Sequence, residues 1–125
     1  MRRGFARDAR GITSVEFAMV ALPLTMFLFG VVEVGLAVRA RSALQYATAQ
    51  TARCSVVDSA QCGTVENAKA YAMTQTMGVA VPDTAFSVTT EACGRQVTAT
   101  LPFPVVAHHV FPVPLTLRAQ SCYPL

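Results

Sequence analysis

From Phe17 to Val32 the chain carries no charge (FAMVALPLTMFLFGVV), and admitting the single carboxylate of Glu33 extends the apolar run to Val38. At roughly 1.5 Å per helical residue, the 22 residues from Phe17 to Val38 reach about 33 Å, enough to cross a hydrocarbon core of about 30 Å. That one segment fixes the plan: a helix through a bilayer, and a domain made from the residues beyond it. The 125 residues leave room for one small domain, and a unit that small buries little core and usually needs a staple.

Charge orients the segment. Residues 1–11 hold Arg2, Arg3, Arg7 and Arg10 against Asp8, a formal +3, while the six basic and six acidic residues beyond cancel. Basic residues before a first membrane segment stay cytoplasmic, so the C-terminal part is expected on the far side, with Arg39 and Arg41 a weaker opposing pair. The same distribution argues against nucleic acid as a partner, since no basic patch remains in the domain.

All four cysteines, Cys54, Cys62, Cys93 and Cys122, fall in the exported part, where an oxidising compartment permits disulfides. Their spacing lacks the close pairs of a zinc site. Three pairings are possible; the preferred one joins Cys54 to Cys62, closing a short loop, and Cys93 to Cys122, tying a hairpin turn to the chain end.

The expected fold is α+β. Its parts are a basic leader (1–11), a transmembrane and extended helix (12–53), and a small exported domain (54–125) with a second helix and a short antiparallel sheet. The leader has no apolar periodicity and reads as unstructured. Thr13 or Ser14 suits a helix start, and a helix from Glu16 to Arg53 is expected to run through Pro23 and Gly30, because a membrane Pro kinks more often than it ends a helix. Residues 54–63 read as a loop. A second helix is expected from Val65 to Met77, with Thr64 before it and Gly78 after it. Residues 85–93 and 96–101 alternate around Gly94 as a hairpin, 115–120 add a third strand, and Pro102, Pro104, Pro112 and Pro114 punctuate a loop between them.

One motif carries functional information: Gly11-Ile12-Thr13-Ser14-Val15-Glu16-Phe17, directly before the apolar run. It resembles the processing site of type IV prepilins, in which a membrane aspartyl peptidase cuts after the Gly. That resemblance implies a new N-terminus at Ile12. The freed amine and Glu16 would then stand four residues apart on one helix face. A carboxylate in hydrocarbon costs about 2.5–3.5 kcal/mol on insertion scales, so a partner amine within or between chains is physically useful. The plainer alternative keeps Glu16 at headgroup level as an N-terminal helix charge.

The longer stretch GITSVEFAMVALPLTMFLFGVVEVG, followed by ARSALQYATAQTARC and a terminal SCYPL, resembles the TadE-like minor pilins (pseudopilins) of the tight-adherence, Flp-type pilus machinery. The likeness is strongest over residues 10–54 and covers the C-terminal third only in its cysteines and β character. It implies a non-enzymatic subunit assisting assembly or function of a type IV-like pilus used in adhesion and biofilm formation. It also implies a bacterial inner-membrane location with a periplasmic domain, or incorporation into the pilus. The implied partners are a prepilin peptidase, other pilin subunits and the assembly platform.

The remaining residues offer little chemistry, and no cofactor or metal site is expected. Glu33 either snorkels to the interface or pairs with a basic residue on another membrane helix. The face of Ala37, Ala40, Ala43 and Ala47 permits close helix approach in the membrane or, as the favoured reading, packing under the chain's own domain. His108 and His109 read as solvated loop residues, and Tyr46, Tyr71, Met73 and Met77 as core or helix-packing residues. With Ser55 and Asp58 the histidines make no nucleophile motif. The rival reading is an exported protein with an ordinary signal peptide, or an uncleaved anchor carrying a small binding domain.

Overall fold

The computed structural model describes residues 10–105 and 114–125, so the leader up to residue 9 and the histidine pair lie outside the described residues. The chain divides into two compact units between Val34 and Gly35. One helix, α1 (Arg10–Val57, 48 residues), supplies all the described residues of the first unit and the opening element of the second.

In the first unit the large apolar side chains of the helix are left uncovered. Phe17, Met19, Phe27 and Phe29 are all exposed, as are Leu22, Leu24 and Leu28 between them. The segment is apolar and long enough to cross a membrane. In lipid a backbone must satisfy its own polar groups, which is what an unbroken helix does. Pro23 lies inside α1 without ending it, in keeping with the expectation for a membrane segment.

The second unit is an α+β layer. After α1 come α2 (Ser59–Cys62) and α3 (Val65–Thr74), then a single 3-10 turn (Asp83–Ala85) and three strands: β1 (Phe86–Glu91), β2 (Gly94–Phe103) and β3 (Leu115–Tyr123). The strands form an antiparallel sheet in the order β1-β2-β3. Alternation sets its faces. Phe86, Val97, Ala99, Leu101, Leu117 and Ala119 point into the core, while Ser87, Thr89, Thr100, Thr116 and Arg118 remain exposed. Ala40, Leu44, Ala47 and Ala52 of α1 and Ala72 of α3 complete the core cluster.

The helical cover is made of small residues. Ala40, Ala43, Leu44, Ala47, Thr48, Thr51, Ala52 and Ser55 recur at intervals of three and four, and all are buried. The alanine face therefore packs under the chain's own domain, although Ala37 at its start is only half-buried. The hydroxyls on this stripe are accommodated in two ways. Thr48 Oγ1 donates to the Gln45 carbonyl at 3.0 Å and Ser55 Oγ to the Ala52 carbonyl at 2.8 Å, whereas Thr51 Oγ1 has no partner.

Four local expectations require correction. Residues 54–63 are not a loop: α1 continues to Val57, and after Asp58 the chain re-enters a helix, α2, whose first turn is capped by the Asp58 carboxylate accepting from the Gln61 amide at 3.3 Å. Helix α1 already includes Arg10, the first described residue, upstream of the Thr13 or Ser14 start, and α3 ends at Thr74 rather than Met77. Pro102 lies within β2, opposite Thr116 of β3, at a point where β1 has already ended. A missing N–H is tolerated where a strand has only one neighbour.

Other signals match their residues. Thr64 Oγ1 accepts from the Asn67 amide at 3.2 Å and caps α3. The β1–β2 turn needs its glycine twice over. Gly94 has φ +120°, and a Cβ there would run into the Tyr123 carbonyl.

Candidate functional site

Two disulfides brace the second unit, with the pairing read from the spacing. Cys54 joins Cys62 at a Cα separation of 5.7 Å, and Cys93 joins Cys122 at 6.3 Å. The first clamps the last turn of α1 to the end of α2. The second fastens the β1–β2 turn to the far end of β3. Arg95 links the two stapled regions: its guanidinium donates to the Thr90 hydroxyl at 3.2 Å and to the Gly63 carbonyl at 3.3 Å.

An open depression of about 490 Å³ is lined by Gln61, Asn67, Ala70, Tyr71, Thr74 and Gln75, which are neutral amides, hydroxyls and a methyl. None of these can serve as a nucleophile–base pair at neutral pH. Among the described residues no three of His, Cys, Asp and Glu converge as a metal site. Ser55 and Asp58 have structural roles instead, in the core stripe and as the α2 cap.

The aromatic and sulfur residues expected to pack inside are mostly on the surface. Tyr46, Met73 and Met77 are exposed, and Tyr71 is half-buried. The reason is helical phase. Ala43 and Ala47 already occupy the buried side of α1 around Tyr46, and Ala68 and Ala72 that of α3 around Met73. Met77 has left the helix altogether, with φ +53° just before Gly78 at φ +80°.

The surface of interest is thus α1 itself. Gly11, Ile12 and Glu16 all fall within it, with Ile12 and Glu16 one turn apart along the backbone, and Glu16 is exposed. Glu33 is half-buried. Between the two carboxylates the helix shows only apolar residues, Gly and Thr25, whose hydroxyl turns back to the Leu22 carbonyl at 2.9 Å.

A family model described as TadE-like protein matches residues 11–53. The chain is similar to that family over a stretch that starts at Gly11 and stops one residue before Cys54. No curated protein and no solved structure matches the chain. The sheet and its disulfides lie outside the matched segment.

Proposed function

We propose that this chain is a minor pilin-type (pseudopilin) subunit that assists assembly or function of a Tad, Flp-type adhesion pilus. The observation that carries the reading is where the TadE-like match falls: on α1 from the processing motif through the exposed apolar segment to the buried alanine stripe. Phe17–Val38 anchors the chain in the inner membrane, the basic N-terminus stays cytoplasmic, and the cysteine-bearing domain is periplasmic. A prepilin peptidase cuts between Gly11 and Ile12, and the freed amine meets Glu16 within a chain or between neighbouring pilin helices. The subunit acts by packing against other pilins rather than by catalysis.

The intact mass of the mature chain from the membrane fraction tests the processing step. Loss of the first eleven residues supports it; loss of about forty, giving a soluble product, supports an ordinary signal peptide instead. The assembly step is tested by Glu16→Ala and Glu16→Gln. Both are expected to leave cleavage and insertion intact and to sharply reduce co-purification with partner pilins, because the Ile12 amine loses its counter-charge near hydrocarbon. Glu33→Gln is expected to be milder. Normal assembly with both Glu16 variants would reduce Glu16 to a helix-end charge.

A further inference from the structure

Within the second unit, α1 and the edge strand β3 run side by side in the same direction. Gln45 on α1 donates from Nε2 to the Gln120 carbonyl on β3 at 3.4 Å. One turn earlier on α1 and two residues earlier on β3, Arg41 and Arg118 line a common cleft of about 310 Å³ with Leu115, Thr116 and Leu117. The steps agree: four helical residues rise about 6 Å, and two strand residues about 6.6 Å. Continuing back by the same amount brings α1 to Ala37, beside Val38 where the apolar run ends, and β3 to Thr116, the residue after its first, Leu115. The start of β3 is therefore level with the end of the apolar run.

The composition of this end is specific. Arg41 and Arg118 are both exposed, and the described residues show no ion pair at either. Leu115 beside them is 39% exposed, an apolar residue at the first position of an edge strand. Among the described residues no carboxylate lines the cleft. Arginine forks match phosphate oxygens in pairs, and their aliphatic stems tolerate an apolar setting. Two arginines flanking an exposed leucine, at the height where a helix leaves hydrocarbon, match the layering of a lipid interface: phosphate above and acyl chain below.

We infer that the Arg41–Arg118 cleft seats the phosphate headgroups of the membrane from which α1 emerges, with Leu115 reaching the top of the acyl region. This rests on the membrane-anchor reading of α1. It assigns the exported domain a docked position on the bilayer surface before any partner is engaged. It also gives a local purpose to an arginine that opposes the charge rule for orientation.

The test uses the full chain in lipid nanodiscs. The protein has no Trp, so Leu115→Trp and, separately, Phe27→Trp each introduce a single fluorophore. Brominated lipids should quench the indole at position 27 if α1 spans the bilayer, and should also quench the one at position 115 if the cleft sits on headgroups. Each arginine at an anionic surface is worth about five-fold in association. Replacing part of a zwitterionic bilayer with phosphatidylglycerol should therefore raise quenching at position 115, and Arg41→Gln with Arg118→Gln should remove that rise. Quenching at position 27 without quenching at position 115 overturns the headgroup docking and leaves the anchor standing. Quenching at neither position overturns both. Quenching at position 115 that the double arginine variant leaves unchanged shows burial without phosphate recognition and also overturns the inference. Non-reducing peptide mapping of each variant confirms that both disulfides, and so the fold, are intact.

Discussion

Helix α1 contains two segments that answer opposite demands. From Phe17 to Val38 its large apolar side chains are exposed, with Phe17 at 75% and Phe29 at 73%. From Ala40 to Ser55 its inward side chains are small and buried, with Ala47 at 0%. Hydropathy alone does not separate these cases, since alanine, leucine and phenylalanine all count as apolar. Size does. A helix facing lipid gains from broad side chains, whereas a helix lying under a twisted sheet fits closely only if its contact stripe is small. A chain can therefore place one helix in two solvents by changing side-chain volume along it.

The comparison is sharpest at two phenylalanines. Phe86 is 1% exposed in the core, and Phe86→Ala is expected to cost the domain about 3–5 kcal/mol. Phe27 is 68% exposed, and Phe27→Ala is expected to leave domain stability unchanged. Urea unfolding of the detergent-solubilised chain, followed by amide exchange in β2, measures both. Equal losses would mean that the two segments do not have separate environments.

Disulfide removal separates the units next. By loop length alone, the chain-entropy model gives about 3.6 kcal/mol for the Cys93–Cys122 bridge and about 2.6 kcal/mol for Cys54–Cys62. Paired Cys→Ala variants are expected to rank in that order. Neither should reduce the helical circular dichroism contributed by the membrane segment, and a loss there would show that the helix depends on the domain.

Adding volume should act on one segment only. Ala47→Leu overpacks the stripe and is expected to cost about 1–3 kcal/mol, while Ala21→Leu in the apolar run is expected to be neutral in the same unfolding assay. The smallest effect has the opposite sign. Thr51 carries a buried hydroxyl without a partner, so Thr51→Val, which is close in shape, should stabilise the domain by about 0.5–1 kcal/mol.

The sequence reads well where one local signal decides. The apolar run, the Thr64 cap and the alternating strands all follow from neighbours in the chain. It reads poorly where distant contacts decide. CSVVDSAQCG has the β-branched and polar character of a loop, yet its ends are held by a disulfide and its middle by the Asp58 cap, so it is largely helical. Pro102 signals a break unless the neighbouring strand is known to have ended. Thr48, Thr51 and Ser55 look like surface residues until the stripe is traced past Ala47. The candidate assembly residues Gly11, Ile12 and Glu16 are visible as a motif because they stand close together in the chain, directly before the apolar run. The cleft of Arg41 and Arg118 is not, since it joins positions far apart in the chain.

The shared helix has a practical consequence for anyone wanting the sheet-bearing domain in solution. The natural place to divide the polypeptide is not where the sheet-bearing region begins at Cys54, because that cut discards Ala40, Leu44, Ala47 and Ala52 and leaves the inner face of the sheet bare. A fragment starting at Gly35 keeps the whole lid on the core and sheds the greasy segment. It should be monomeric and soluble, whereas one starting at Cys54 should aggregate through the uncovered Val97, Leu101 and Leu117.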